Sequence, residues 1–78
     1  MAEEKEAVAI DVLKGIAMDI ERILVERQRS IDALTLFHDR ALKTLEYIAK
    51  KVDSNVLKER ANLYIQRIKA GAKISMTL

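Results

Sequence analysis

The chain has no proline, no cysteine and no tryptophan, and only two glycines, Gly15 and Gly71, among its 78 residues. Without cysteine, no disulfide or thiolate metal site can supplement the core. Without proline, and with so little glycine, nothing obliges the backbone to leave a helix. Plentiful Ala, Leu, Ile, Lys, Glu and Arg then make helix the default throughout. No period-two alternation lasts long enough for a strand, and no run of about 18 apolar residues could form a membrane span. The opening Met1-Ala2-Glu3-Glu4-Lys5-Glu6 is acidic where a secretory signal is basic and then apolar. A soluble cytoplasmic protein is the expectation.

Groups able to carry chemistry are equally scarce. There is one histidine, His38, with no nucleophile beside it on its helix. Ser30 and Ser54 read as helix caps, and the carboxylates are scattered over polar faces among bases at helical spacing. A metal site needs several His, Cys or clustered acids, and a phosphate loop needs a glycine-rich turn. These counts point to a chain that is not an enzyme, with no catalytic residue, no cofactor, no metal and no small-molecule substrate.

What the chain does have is apolar residues wound at helical pitch. The central stretch Ile31–Val52 repeats them at steps of three and four: Ile31, Leu34, Phe37, Ala41, Leu42, Leu45, Ile48, Ala49 and Val52 fall on one stripe. Before it, Ala9, Ile10, Val12, Leu13, Ile16, Ala17, Ile20, Ile23 and Leu24 form a stripe about 160° wide. Gly15 lies on the polar side of that helix, at a cost of about 1 kcal/mol relative to alanine. After it, Leu57, Ala61, Tyr64, Ile65, Ile68 and Ala72 form a third stripe, with Gly71 as a C′ residue. The expected fold is all-α: a small antiparallel three-helix bundle in one domain, residues 1–78, with helices near 4–28, 31–52 and 55–70 and a tail over 71–78.

The first break is placed near 27–31, where Arg27 sits in the apolar seam and Ser30 can cap a new helix. Asp53-Ser54-Asn55 supplies the second. An alternative architecture stays open. The series from Ile10 through Leu24, Arg27, Ile31, Leu34, His38, Ala41, Leu45 and Ile48 to Val52 is an unbroken 3-4 alternation. It also describes one long coiled-coil-like helix with a shorter one folded back, two copies making a dimeric four-helix assembly.

Charge is unevenly divided although the net value is only +2. Residues 1–39 hold nine acids against five bases, a balance of −4, and residues 40–78 hold nine bases against three acids, a balance of +6. The halves attract when folded on one another, or when two copies pack in opposite directions.

Three readings of function follow. The first is a small non-enzymatic protein–protein interaction or assembly module, whose partner is a second copy, another protein, or both. Leu36 and Tyr47, eleven residues apart and opposite the main stripe, form with Arg40 and Lys43 its candidate partner-binding patch; the plain alternative is ordinary surface residues. Met18 and Val25, off the first stripe, form a second spot. The different-class alternative is a basic regulator that touches nucleic acid through Lys51, Lys58, Arg60, Arg67 and Lys69. Lys58 and Lys69 flank the third stripe on one side and Arg60 and Arg67 on the other, instead of gathering on one face, and Phe37, Tyr47 and Tyr64 are too few for a stacking platform. His38 reads either as a pH-sensitive switch inside an interface or as a core-edge histidine bonded to a neighbouring helix.

The third reading is a peptide-binding adaptor. The run Leu57-Lys58-Glu59 followed by Tyr64 and Arg67 resembles the last helix of the three-helix domains that bind peptide tails in membrane-remodelling pathways. That likeness covers one helix. The first two lack the glycine-aromatic turn of such domains and the first is too long, so no binding residue is carried over.

Overall fold

A computed structural model of the chain describes the backbone of residues 2–77 and the side chains of residues 4–71. The protein is a small all-α bundle of three helical runs separated by two loops, and no strand occurs among the described residues. The first run is α1 (Ala2–Met18). The middle run comprises α2 (Leu24–Leu34), a 3-10 segment (Thr35–Ala41) and α3 (Leu42–Lys51). The last is α4 (Asn55–Thr77).

The first loop, 19–23, comes earlier than the expected break at 27–31. Asp19 makes the difference: its carboxylate accepts the backbone N–H of Glu21 at 3.0 Å, and its carbonyl accepts that of Arg22 at 3.2 Å. Such a side chain offers the backbone a turn in place of the helical ladder. Ile23 then follows in extended conformation (φ −67, ψ 151), and α2 starts without a side-chain cap. Ser30 is no cap. It lies buried inside α2 and donates to the Arg27 carbonyl at 2.7 Å. The second loop lies where Asp53-Ser54-Asn55 predicts it. Ser54 accepts the Leu57 N–H on its hydroxyl at 3.4 Å and the Lys58 N–H on its carbonyl at 3.0 Å, capping α4. Gly71 does not end that helix, which runs on to Thr77. The proposed roles of Ala72 and of the tail beyond Gly71 concern side chains outside the described residues.

The middle run is not straight, so the single long helix of the alternative architecture is absent. His38 breaks it at φ 52, ψ −131, the one non-glycine residue with positive φ among the described residues. The chain reverses there. Glu6 pairs with Arg40, and Lys14 lies 4.0 Å over the Tyr47 ring, so α3 climbs alongside α1 in the same direction. Arg27 and Asp32 of α2 meet Asp53, just before α4, and Arg60 and Tyr64 of α4 in that order, so those two descend together. The result is two antiparallel hairpins, α1–α2 and α3–α4, joined by the 3-10 segment.

The core lies between the hairpins. Ile31, Leu34, Leu45, Ile48 and Leu57 are its largest fully buried side chains, with Ala17, Ala41, Ala49, Ala61 and Ile65 filling around them. Phe37, Leu42, Val52, Tyr64 and Ile68 pack against this cluster, so the central and third stripes are buried as their spacing requires. The first stripe is narrower than its sequence. Ile10, Leu13 and Ala17 face inward and are joined by Met18, which the spacing had put off the stripe. Val12, Ile20, Ile23 and Leu24 are exposed. A helix ending at Met18 cannot carry Ile20 and Ile23 on its inner face.

Candidate functional site

Among the described residues, three polar fastenings tie the hairpins together. The first is Arg27, only 5% exposed. Its Nε donates to the Ala17 carbonyl at 2.8 Å, and its Nη2 reaches the Asp53 carboxylate at 2.6 Å. One guanidinium thus satisfies the end of α1 and holds the loop before α4, as its fixed fork of donors allows. The Arg27 hydrogen bond holds the Asp53 carboxyl below the usual carboxylate range. The second fastening centres on Asp32. Arg60 approaches it with two nitrogens, at 2.6 and 2.9 Å, and the Tyr64 hydroxyl donates to it at 2.6 Å. The Arg60 bond, with help from Tyr64, lowers the Asp32 pKa against the opposing effect of burial. The bond to Asp32 raises the Tyr64 hydroxyl. The third is Glu6 with Arg40, next to Lys14 over Tyr47. The acidic N-terminal half therefore attracts the basic C-terminal half within one chain, at Asp32–Arg60 and Glu6–Arg40.

These contacts rearrange the patch predicted from spacing. Leu36 is 75% exposed and Lys43 is exposed. Arg40 and Tyr47, by contrast, are engaged by Glu6 and Lys14 of α1. Leu36 precedes the break at His38 and Tyr47 follows it, so the argument that eleven residues bring them to one helix face fails. Among the nucleic-acid candidates, Arg60 is committed to Asp32, and Lys69 lies 3.8 Å from Glu46. Lys51, Lys58 and Arg67 are exposed, on α3 and α4. His38 is exposed at the turn and is not the core-edge histidine the spacing implied.

Two surface features remain as sites. One is an open cleft of about 600 Å³ between the 3-10 segment and α4, with Tyr64 and Ile68 as its apolar wall and His38, Asp39 and Arg67 around it. The other was found at the sequence level only through Val25, whose proposed companion Met18 packs on the core instead. Ile20, Ile23, Leu24 and Val25 are all exposed, the first two by 73% and 65%, and they crowd the end of the bundle where α1 turns into α2. The signal that would have found this rim is Asp19: a turn there removes Ile20 and Ile23 from the helix that was to bury them. Arg27, an arginine inside an apolar seam, was likewise legible as a residue needing buried partners.

Among the described residues no group of three or more His, Asp or Glu converges as a metal site requires, and no helix is long and apolar enough to cross a membrane. Compared with known proteins, the chain matches no family model, no curated protein and no solved structure.

Proposed function

We propose that the chain is a small non-enzymatic assembly module that associates with a second copy of itself through the apolar rim at the α1–α2 turn. The observation that carries this reading is the rim: four large aliphatic side chains within six residues stand in water while the core beneath them is already closed. Apolar patches of this kind mark interaction surfaces on soluble domains. Charges of both signs border the rim (Asp19, Glu21 and Glu26 against Arg22 and Arg29), so two copies related by a two-fold axis can pair across it.

Sedimentation over a wide concentration range tests the proposal. The mass is expected to rise towards a dimer, and the double variant Ile20→Ser, Ile23→Ser to associate more weakly while keeping its helicity. A wild-type chain that remains a monomer at every concentration, or a double variant that associates as strongly, overturns it. The nucleic-acid alternative has less support, because two of its five bases are already paired with carboxylates of the same chain.

A further inference from the structure

The backbone at His38 is at odds with its own sequence. The run 24–51 is helical on both sides of this residue, yet His38 holds φ 52, ψ −131, a conformation that costs an L residue energy and persists only where its surroundings impose it. Local turn signals are few: Asp39 follows the bend, and histidine is one of the residue types that enter positive φ more readily than most. No glycine, proline or asparagine occurs between Gly15 and Asn55, and the apolar series Ile31, Leu34, His38, Ala41, Leu45, Ile48 passes through the bend without a change of step. The bend is imposed from a distance, by the docking of α3–α4 on α1–α2. Another α3–α4 hairpin of the same sequence offers the same contacts.

We infer that this chain exchanges its α3–α4 hairpin with a second copy, using His38 as the hinge. The run 24–51 straightens into one helix of about 42 Å, and the α1–α2 hairpin of each chain receives α3–α4 from its partner. Every fastening between hairpins lies on opposite sides of the hinge: Arg27 with Asp53, Asp32 with Arg60 and Tyr64, Glu6 with Arg40, Lys14 over Tyr47. Arg27 with Asp53, Asp32 with Arg60 and Tyr64, and Lys14 over Tyr47 re-form between chains, Arg40 returns beside Glu6 at the start of the straightened second half, and straightening releases the strain at two hinges at once. Hinges that are short and strained favour such exchange. The identity of the occupant rests on charge. The receiving side offers Glu6 and Asp32 and the arriving side Arg40 and Arg60, a register that another copy of this hairpin matches by construction. The inference rests on the self-associating reading above but on a different observation.

Charge reversal in two separate chains tests it. The Asp32→Arg chain and the Arg60→Asp chain each set like charges against one another when folded alone. Exchange brings the introduced charges together across chains and leaves the native pair at the second interface. Unfolded together, mixed in equal amounts and refolded, the two are expected to form a heterodimer that melts well above either chain alone. A mixture that melts as the sum of its components overturns the exchange. If wild-type association still depends on Ile20 and Ile23 in that case, the rim reading survives on its own.

Hinge variants supply the second measurement, should the reversed chains not fold. His38→Ala keeps the strain of the bend and favours the straight helix, whereas His38→Gly relaxes the bend and disfavours the helix. Their dimerisation constants are expected to differ on the order of a thousandfold, with alanine the tighter, since the effect enters once per chain. Equal constants overturn the inference.

Discussion

Removing the Arg27 side chain tests most directly how the two hairpins are held. Arg27→Met keeps most of the buried aliphatic stem and deletes the guanidinium. The Ala17 carbonyl, on a residue with no exposed surface, then loses the donor at 2.8 Å. A buried acceptor left without a partner costs about 1–3 kcal/mol. Arg27→Ala also forfeits the stem, which at about 0.8 kcal/mol per buried methylene adds roughly 2 kcal/mol. The methionine variant should therefore lose about 1–3 kcal/mol and the alanine variant about 3–5 kcal/mol. For a domain of this size the total stability is only about 4–12 kcal/mol, so the alanine variant approaches unfolding at ambient temperature. Urea titration followed by helical circular dichroism measures both. Asp53→Asn should cost less than either, because that carboxylate is half in solvent and regains water when released. If Arg27→Ala unfolds within 1 kcal/mol of the wild type, the guanidinium is not the fastening described here.

Other perturbations have equally definite outcomes. Asp32 titrates below its usual value of 3.8 in the folded chain, so its stabilising contribution is complete above that pH and is lost as pH falls through the lower folded value. The wild type should lose stability more steeply than Asp32→Asn between pH 4 and 2, in urea midpoints taken across that range, while the variant is about 1–2 kcal/mol weaker near neutrality. Tyr64 behaves in the opposite sense: its hydroxyl is raised above 10.0, and its contribution is lost as pH rises through the raised value, which a melt series above pH 10 compared with Tyr64→Phe will register. Gly15→Ala should stabilise by about 1 kcal/mol, since a methyl group at Gly15 meets nothing within 4 Å, and a higher thermal midpoint checks this. Leu45→Ala, at a fully buried position, should cost about 2–5 kcal/mol in the same urea assay.

The parts of this fold that were legible in the sequence are those set by local pattern. Helical spacing identifies the buried faces of the middle and last runs, because which side of a helix avoids water depends only on residue order. Asp53-Ser54-Asn55 locates the second loop because three turn formers act together. The first loop was misplaced because its signal is weaker. A single aspartate at position 19 competes with a continuing apolar period, and the competition is settled by Arg27, whose guanidinium must reach Ala17 and Asp53 at once. That requirement joins residues ten and 26 positions away, and no window of helical length contains it. The exposed rim follows from the same displacement, for once the helix stops at Met18 the side chains of Ile20 and Ile23 have no inner face to occupy.

The bend at His38 was illegible for a deeper reason. A period near 3.6 says which side of a helical run is buried but is silent about what buries it. Ile31 and Leu34 before the bend, and Leu45 and Ile48 after it, need a cover of the same kind, and α4 serves both when the run folds back. A second chain would serve them equally with the run extended. Spacing along one sequence is identical in the two cases. What separates them is a comparison between the strain of one residue at φ 52 and the entropy lost when two chains become one particle, the latter ~4–15 kcal/mol at the standard concentration. Strain at two hinges, at about 1–3 kcal/mol each, offsets part of that loss. The balance therefore shifts with protein concentration and with the residue at position 38, and both can be varied without touching the core.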